Sequence, residues 1–291
     1  MRVRLGCGQI TWRGVGSEEA VLTDIAQAGY EGAPMSARGG RSARDVKELY
    51  ESHNLVPAPG YFSGSFWDES KRDEHLESAR RVASISAELG LTEIYVADGG
   101  FKAPTRTGRT RWDVAAHPSA EDSLSDEDFA RLAAGLDAVG RATLEFGVRS
   151  CFHNHVGTFV ETEAEIERLL ASVDPDVLFL GPDTGHLAWG GVDVVDFTRR
   201  HAERIKTMHL KDIVESVSQK GKAAGWDYST FEKNAIWTEI GEGSIDFAEV
   251  LRILDGVDFE GWLIVETDVT QLPTPLESAV VSRQALRTLG I

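Results

Sequence analysis

The chain has 291 residues, 30 of them basic and 47 acidic, which gives a formal net charge of −17. A charge of this sign repels phosphate backbones and acidic membrane surfaces, so nucleic acid is excluded as an expected partner. Cys7 and Cys151 lie in apolar segments without a CxxC motif, which argues against a disulfide scaffold or zinc knuckle and favours a reducing environment. No stretch approaches the ~18 to 20 apolar residues of a membrane span or carries a signal-peptide core, so a soluble cytoplasmic protein is expected.

Short apolar runs alternate with amphipathic helical patterns from one end of the chain to the other. Apolar residues at three- and four-residue spacing mark the helices, as in FARLAAGLDAVGRATLEF. The predicted strands are Val3–Ile10, Tyr30–Pro34, Leu55–Phe62, Glu93–Ala97, Val148–His153, Val177–Leu180, Ile205–Leu210 and Trp262–Thr267. The predicted helices are Ser17–Ala28, Ala43–His53, Asp73–Leu89, Asp126–Phe146, Glu163–Ser172, Asp193–His201, Asp246–Leu254 and Leu276–Leu289.

The boundaries of several predicted helices are marked by capping residues. Gly29, Gly90 and Gly147 each stand between a helix and the next strand, as C′ glycines do, and Ser125 precedes three acidic residues of a first helical turn. Eight βα units in unbroken alternation predict an α/β protein built as one (β/α)8 TIM barrel, a single domain over residues 1–291. A doubly wound open sheet is the alternative.

Two long connections interrupt this alternation. They run from Asp98 to Asp122 after the fourth strand and from Lys211 to Ser244 after the seventh. Both follow the carboxyl end of a strand, which is the face where barrel enzymes carry their sites, and loops of this length are usually functional. We therefore expect them to cover or line a binding site.

Metal-ligating residue types stand at the carboxyl ends of the last four predicted strands. These residues are His153 and His155, Asp183 and His186, His209, and Glu266. Since the carboxyl ends of parallel barrel strands meet at one face, the side chains should lie close together. Two histidines with two carboxylates suit a divalent cation such as Mn, Co, Fe or Zn better than the all-oxygen site of Mg²⁺.

The division of roles within this set stays open at the sequence level. In a strand His153 and His155 point to the same side, so one can bind the metal while the other reaches the substrate. Asp183 and His186 are three residues apart across a turn, and there too one can bind metal and the other a hydroxyl group. Any one of these histidines alone is more often a hydrogen-bonded structural residue, and the clustering on four strands is what favours a metal site.

Four segments give the chain a resemblance to a known superfamily. FHNHVGTFVETEAEIERLL, DTGHLAWGG, HLKDIVESV and the stretch from GEGSIDF to GWLIVETD resemble the xylose-isomerase-like TIM barrels, the superfamily of sugar phosphate isomerases and epimerases. Within it the closest likeness is to inosose (2-keto-myo-inositol) dehydratases. The resemblance covers nearly the whole chain and implies His153, Asp183, His209 and Glu266 as metal ligands.

The chain departs from the superfamily pattern at two positions. Many sugar isomerases and epimerases have a glutamate where His153 stands, paired with the glutamate of the last strand as acid and base. Its absence favours the dehydratase branch over a two-glutamate epimerase mechanism. Pro34 stands where the subfamily more often has a glutamate, so the substrate need not be inosose itself.

The expected chemistry is dehydration of a keto-polyol through a metal-stabilised enediolate. The candidates are Glu266 or His155 as the base and His186 or Lys211 as the proton donor or oxygen-binding cation. Lys211 is alternatively paired with its neighbour Asp212. The backbone N–H groups of Gly241 and Gly243 either reach a substrate oxygen or belong to a tight turn.

Three other functions are weighed against this one. A ketose isomerase or epimerase shares the proposed early steps, an abasic-site endonuclease shares the barrel but needs a basic surface, and a sugar-binding protein would leave its ligand unchanged. The expected partner is a small-molecule sugar or cyclitol, with neither nucleic acid nor membrane, and a homo-oligomer is one option for the assembly.

Overall fold

The strands of the chain are short and lie at regular intervals. The computed structural model describes residues 1–36 and 38–291. Its strands are β1 (Arg2–Cys7), β2 (Gly32–Pro34), β3 (Val56–Ala58), β4 (Tyr61–Gly64), β5 (Glu93–Asp98), β6 (Arg149–Phe152), β7 (Leu178–Leu180), β8 (Met208–Leu210), β9 (Asp212–Ile213), β10 (Trp237–Thr238) and β11 (Glu260–Val265).

Eight parallel strand positions form the barrel predicted from the sequence. One run of neighbours is β3-β2-β1-β11-β8 and the other is β4-β5-β6-β7. The two runs meet at β3 and β4, which follow each other in one segment, and between β7 and β8, where parallel bridges join Leu180 to Ile205 and Asp183 to His209. The strands β9 and β10 form a separate antiparallel pair in the connection after β8.

The third predicted strand, Leu55–Phe62, is divided in two by its prolines. β3 pairs with β2 and β4 pairs with β5. Pro57 and Pro59 have no backbone N–H to donate, so a continuous ladder cannot run through the segment. The chain shifts from one neighbour to the other at this point, and Gly60 accepts a hydrogen bond from the N–H of Tyr95 (2.9 Å).

The helices surround the barrel, and all those in the described residues except α3 and α8 begin at a side-chain cap. They are α1 (Glu18–Ala28), α2 (Ala43–Ser52), α3 (Arg72–Glu88), α4 (Asp126–Leu144), α5 (Glu163–Ser172), α6 (Thr184–Gly190), α7 (Val194–His201), α8 (Glu215–Ala224), α9 (Tyr228–Lys233), α10 (Phe247–Gly256) and α11 (Pro275–Thr288). The predicted cap Ser125 accepts the N–H of Asp128, and Thr162 and Glu165 form a capping box at the start of α5. None of the described helices is both long and apolar enough to cross a membrane.

The helix α6 corrects the expectation of a turn between Asp183 and His186. Asp183 is the N-cap of this helix, and Gly191 ends it with a φ of 92°. Gly185 lies inside this helix. A Cβ there would lie 2.9 Å from the side chain of Lys211, so the glycine lets α6 pack closely on the segment after β8.

The two long connections meet over the carboxyl-terminal face of the barrel. The N–H of Tyr228 donates to the carbonyl of Trp112 (3.0 Å), and the two rings stack with centroids 4.0 Å apart. His117 hydrogen-bonds the carbonyl of Trp226 (2.8 Å). Beneath them Trp189 and Trp237 belong to a second apolar cluster, separate from the main core. The aromatic side chains therefore join both connections into one cover beside the strand ends.

Candidate active site

Four side chains from successive strand ends converge at the mouth of the barrel. One ligand atom each from His153, Asp183 and His209 lies within 4.8 Å of the others. Glu266 completes the group, with Oε2 at 3.1 Å from Nδ1 of His209. All four residues are buried. The structure thus brings together all four residues that the resemblance implied as ligands.

Backbone geometry fixes Asp183 with one oxygen directed to the group. Its Oδ1 accepts the N–H of His186 (2.9 Å) at the start of α6, while Oδ2 lies 4.0 Å from Nε2 of His153 and 3.7 Å from Nδ1 of His209. Asn154 holds the same residue from below, because its amide oxygen accepts the N–H of Asp183 (3.0 Å) and its nitrogen donates to the carbonyl (3.4 Å). Asn154 alternates with His153 and His155 along the chain and therefore supports the site from the opposite side of the strand end.

The residues that converge here fit a divalent cation. Among the described residues, Nδ1 of His153 and Nε2 of His209 are buried without a hydrogen-bond partner. Oδ2 of Asp183 and Nδ1 of His209 have charged neighbours but no aligned hydrogen bond. Unpaired polar atoms of this kind are costly to bury unless something binds them. Their mixture of nitrogen and oxygen donors matches the ligand preference of first-row transition metals.

Lys211 lies against three carboxylates. Its Nζ is 3.2 Å from Asp183 Oδ2, 3.2 Å from Glu266 Oε2 and 2.7 Å from Asp268 Oδ1. The alternative of a pair with Asp212 is wrong. Asp268 is a buried acidic residue of the site that the sequence analysis missed, although it lies two residues after Glu266 and therefore on the same side of an extended chain.

Asp212 instead organises the loop before α10. Its carboxylate accepts the backbone N–H groups of Gly241 (3.1 Å), Gly243 (3.1 Å) and Ser244 (3.0 Å). This decides the second open alternative, because the glycine N–H groups belong to a turn and bind a carboxylate of the chain itself. A Cβ at Gly243 would lie 2.3 Å from that carboxylate.

Burial and mutual charge set the protonation of the group. Burial alone would lower the pKa of His209, but Glu266 and Asp183 outweigh it and raise the pKa to about 9. Burial would likewise raise the pKa of Glu266, but His209 and Lys211 lower it to about 2. The pKa of Lys211 is raised because the neighbouring carboxylates outweigh burial. Glu266 is therefore ionised and Lys211 charged at neutral pH.

A second pair of histidines lies beside the first group. The rings of His155 and His186 are in contact, with centroids 3.6 Å apart and planes inclined by 34°. Burial and the charge of Lys211 lower the pKa of His155 to about 4. Burial, and after it the neighbouring His155, lower the pKa of His186. His155 is partly exposed and His186 is buried. The mouth of the barrel therefore presents neutral imidazoles next to the acidic group.

The family of this barrel follows from a match over most of its length. Residues 22–289 match the family model described as xylose isomerase-like TIM barrel. The chain belongs to this family. The resemblance inferred from the four sequence segments and the predicted fold class are both confirmed.

Individual relatives agree with this placement. The inosose dehydratase of Geobacillus kaustophilus (strain HTA426) is 29% identical to this chain over 275 residues, which cover 91% of this chain and 87% of the relative. Among solved structures, a D-allulose 3-epimerase from Methylomonas sp. matches with a TM-score of 0.70 at 16% identity, covering 99% of this chain and 98% of the other. The IOLI protein with a bound zinc atom matches with a TM-score of 0.69 at 15% identity, covering 98% and 97%.

The names of these relatives confirm the expectation that the chain is an enzyme. The two solved structures are less than 25% identical to this chain, so they establish the barrel and nothing about its ligands. The metal ligands and catalytic residues predicted from the sequence stay predictions, and the following proposals concern them.

Proposed function

We propose that the chain is a divalent-metal-dependent lyase that removes water from a keto-polyol, as an inosose dehydratase does. The observation that carries the proposal is the convergence of buried nitrogen and oxygen donors from His153, Asp183 and His209, with Glu266 beside them, at the face where barrel enzymes carry their sites. The names of the relatives at about 29% identity support the substrate class. The partner would be a small cyclic or open-chain polyol ketone.

In this proposal His153, Asp183, His209 and Glu266 hold the cation. When bound, the cation would act as a Lewis acid that polarises a substrate carbonyl and so acidifies the neighbouring C–H. Both carboxylates have pKa values below their ordinary range, because neighbouring positive groups outweigh burial. They would therefore offer negative oxygen at neutral pH without a prior loss of protons.

The remaining residues of the mouth would move protons and bind substrate oxygens. The α-hydrogen leaves as a proton to a base, for which the candidates are Glu266, which is ionised, and His155, which is neutral and partly exposed. The β-hydroxyl leaves with one proton, so that the sum of both steps is the loss of one water molecule. Of the two candidate donors Lys211 and His186, Lys211 is the charged one, and its contact with Asp268 (2.7 Å) holds its Nζ at the site.

Metal removal tests this function directly. Incubation with a chelator should abolish the conversion of 2-keto-myo-inositol, and added Mn²⁺, Co²⁺ or Zn²⁺ should restore it, with the product followed by proton NMR. Loss of one outer partner of a metal ligand already costs about 10- to 100-fold, so His209→Ala should lose bound metal and at least about a hundredfold in turnover. His53→Ala, at the end of α2, is the matched control that should keep both. Full activity in His209→Ala would refute the proposed site.

A reaction with the same substrate in deuterated water distinguishes a dehydratase from an isomerase or epimerase. Exchange of an α-hydrogen for deuterium without loss of water would mean isomerisation or epimerisation. The mouth of this barrel has His153 where a two-glutamate epimerase mechanism needs a carboxylate, so we expect water loss.

A further inference from the structure

The backbone of Val156 contacts both histidines of the second pair. Its carbonyl oxygen lies 2.7 Å from Nδ1 of His155, and its N–H donates to Nδ1 of His186 at 3.3 Å. A carbonyl oxygen only accepts, so Nδ1 of His155 must carry a hydrogen. A backbone N–H only donates, so Nδ1 of His186 must offer a lone pair.

The contact with His186 makes that ring neutral, because Nδ1 must offer a lone pair, and its hydrogen is therefore on Nε2. The two rings are in contact at a centroid distance of 3.6 Å, and partial burial among aromatic rings disfavours a charged form of His155. A neutral His155 with its hydrogen on Nδ1 leaves Nε2 as an acceptor. Two neutral rings of opposite tautomer then satisfy both contacts.

The free nitrogens of the pair differ in their surroundings. Nε2 of His186 is buried and has no hydrogen-bond partner within the described part of the chain. His155 is partly exposed, and its ring is flanked by Phe101 at 4.8 Å and by Tyr228 at 6.0 Å between centroids. A rotation of the His155 ring by half a turn would put a carbon against the Val156 carbonyl and lose the 2.7 Å hydrogen bond, so the packed ring is held in one orientation.

We propose that Val156 fixes His155 and His186 in opposite tautomers, so that the mouth of the barrel offers one imidazole acceptor and one imidazole donor to a polyol. A substrate hydroxyl donates to Nε2 of His155, and a second substrate oxygen accepts from Nε2–H of His186. A neutral imidazole that donates a hydrogen bond polarises an oxygen without giving up its proton. His186 is therefore an oxygen-binding donor, and the role of proton donor falls to another residue.

The choice of a polyol as ligand rests on the proposed function, whereas the tautomers do not. A hydroxyl group can both donate and accept, and neighbouring hydroxyls of a polyol present both properties at once. A substrate that carries phosphate would meet a lone pair at His155, which repels an anionic oxygen. The pair therefore favours an uncharged polyol.

The tautomers of the two histidines can be measured by NMR without any enzymatic reaction. In protein labelled with ¹⁵N at histidine, long-range proton–nitrogen correlation distinguishes a hydrogen-bearing nitrogen from a bare one. His155 should show hydrogen on Nδ1 and His186 on Nε2, both in protein as purified and after addition of zinc. The signals are assigned by their loss in His155→Asn and His186→Asn. The same tautomer in both rings, or a doubly protonated ring at neutral pH, would overturn the inference.

Ligand contact is tested with two pairs of conservative variants. Glutamine places its amide near the position of Nε2 and asparagine near that of Nδ1. His186→Asn should therefore raise KM for 2-keto-myo-inositol at least about ten times more than His186→Gln does. The same order is expected for His155→Asn and His155→Gln. Equal effects within each pair would refute the contact. If 2-keto-myo-inositol is not converted but the tautomers are as assigned, the proposed function fails while the role of Val156 stands.

Discussion

At the scale of single residues, Gly8 makes room for a side chain of the site. A Cβ at this position would lie 2.1 Å from Oε1 of Glu266 and 2.5 Å from its Cγ. β1 and β11 are adjacent parallel strands, so the residue after one comes directly beside the residue after the other. The absence of a side chain at Gly8 is what allows the Glu266 carboxylate to lie next to His209.

Gly8→Ala should therefore weaken metal binding without unfolding the protein. The added methyl group has to displace the flexible end of Glu266, and displacement of one ligand by a fraction of an ångström should cost about 10- to 100-fold in affinity. Affinity is measured by competition with a coloured chelator, and folding by circular dichroism.

Gly256→Ala is the control for this substitution, because a Cβ there meets nothing within 4 Å among the described residues. It should bind metal as the unsubstituted chain does. Unchanged affinity in Gly8→Ala would mean that Glu266 does not contact the cation.

At the scale of elements, a buried arginine joins the first long connection to the start of α5. Arg111 is fully buried and donates to both carboxylate oxygens of Glu165 at 2.8 Å, with Glu161 at 3.4 Å. Glu161 also accepts the N–H groups of Gly157 (2.8 Å) and Ala116 (2.6 Å). The network thus fixes both the connection and the loop that follows His155.

Arg111→Met should loosen this connection and destabilise the protein. Breaking a buried ion pair by removing one partner leaves the other charge uncompensated, at a cost of about 3 to 5 kcal/mol. Hydrogen exchange of the backbone amides from 111 to 117 should become faster, which mass spectrometry can measure. Arg44→Met, which removes an exposed pair with Glu48, should change stability by less than about 1 kcal/mol. Equal effects of both substitutions would contradict the role of Arg111.

At the scale of the whole molecule, buried carboxyl groups couple stability to pH. Burial raises the pKa of Asp98 to about 7, although the N–H of Phe159 donates to its Oδ2 at 2.6 Å. Its other oxygen is buried without a hydrogen-bond partner in the described residues. Burial raises the pKa of Glu161 to about 7 as well. Both groups favour their neutral forms in the folded state.

The sign of the pH effect follows from the direction of these shifts. The pKa of Asp98 in the folded state lies above its ordinary value of 3.8, so its contribution to stability is fully present below about pH 4 and is lost as the pH rises toward 7. One unit of pKa corresponds to about 1.4 kcal/mol, which sets an upper limit of about 4 kcal/mol for this loss.

Asp98→Asn should remove this part of the pH dependence. The amide oxygen can still accept the N–H of Phe159, but the group no longer ionises. Urea unfolding at pH 5 and pH 8 should show a smaller loss of unfolding free energy for the variant than for the unsubstituted chain. Asp176→Asn, at an exposed position, should leave the loss unchanged. If Asp98→Asn behaves like Asp176→Asn, Asp98 is ionised in the folded protein.

Local patterns in the sequence were sufficient to predict the barrel and the residue types at its mouth. Periodicity is a local property of the chain, so alternating strands and amphipathic helices could be recognised. The helices α6, α8 and α9, the strand pair β9 and β10, and the break between β3 and β4 were missed. Parallel strands in a barrel end at one face, so the convergence of His153, Asp183, His209 and Glu266 was predictable before any distance was known.

The contacts between individual groups at that face became known from the folded structure. Lys211 lies among three carboxylates rather than beside Asp212, Gly8 clears space for a residue 258 positions later in the chain, and the backbone of Val156 separates the roles of two touching histidines. These contacts join residues that are distant in sequence or that depend on the orientation of a backbone group. Hydrogen bonds and ion pairs act over a few ångströms, so their partners are fixed by the packing of the folded chain and leave no local pattern in the sequence.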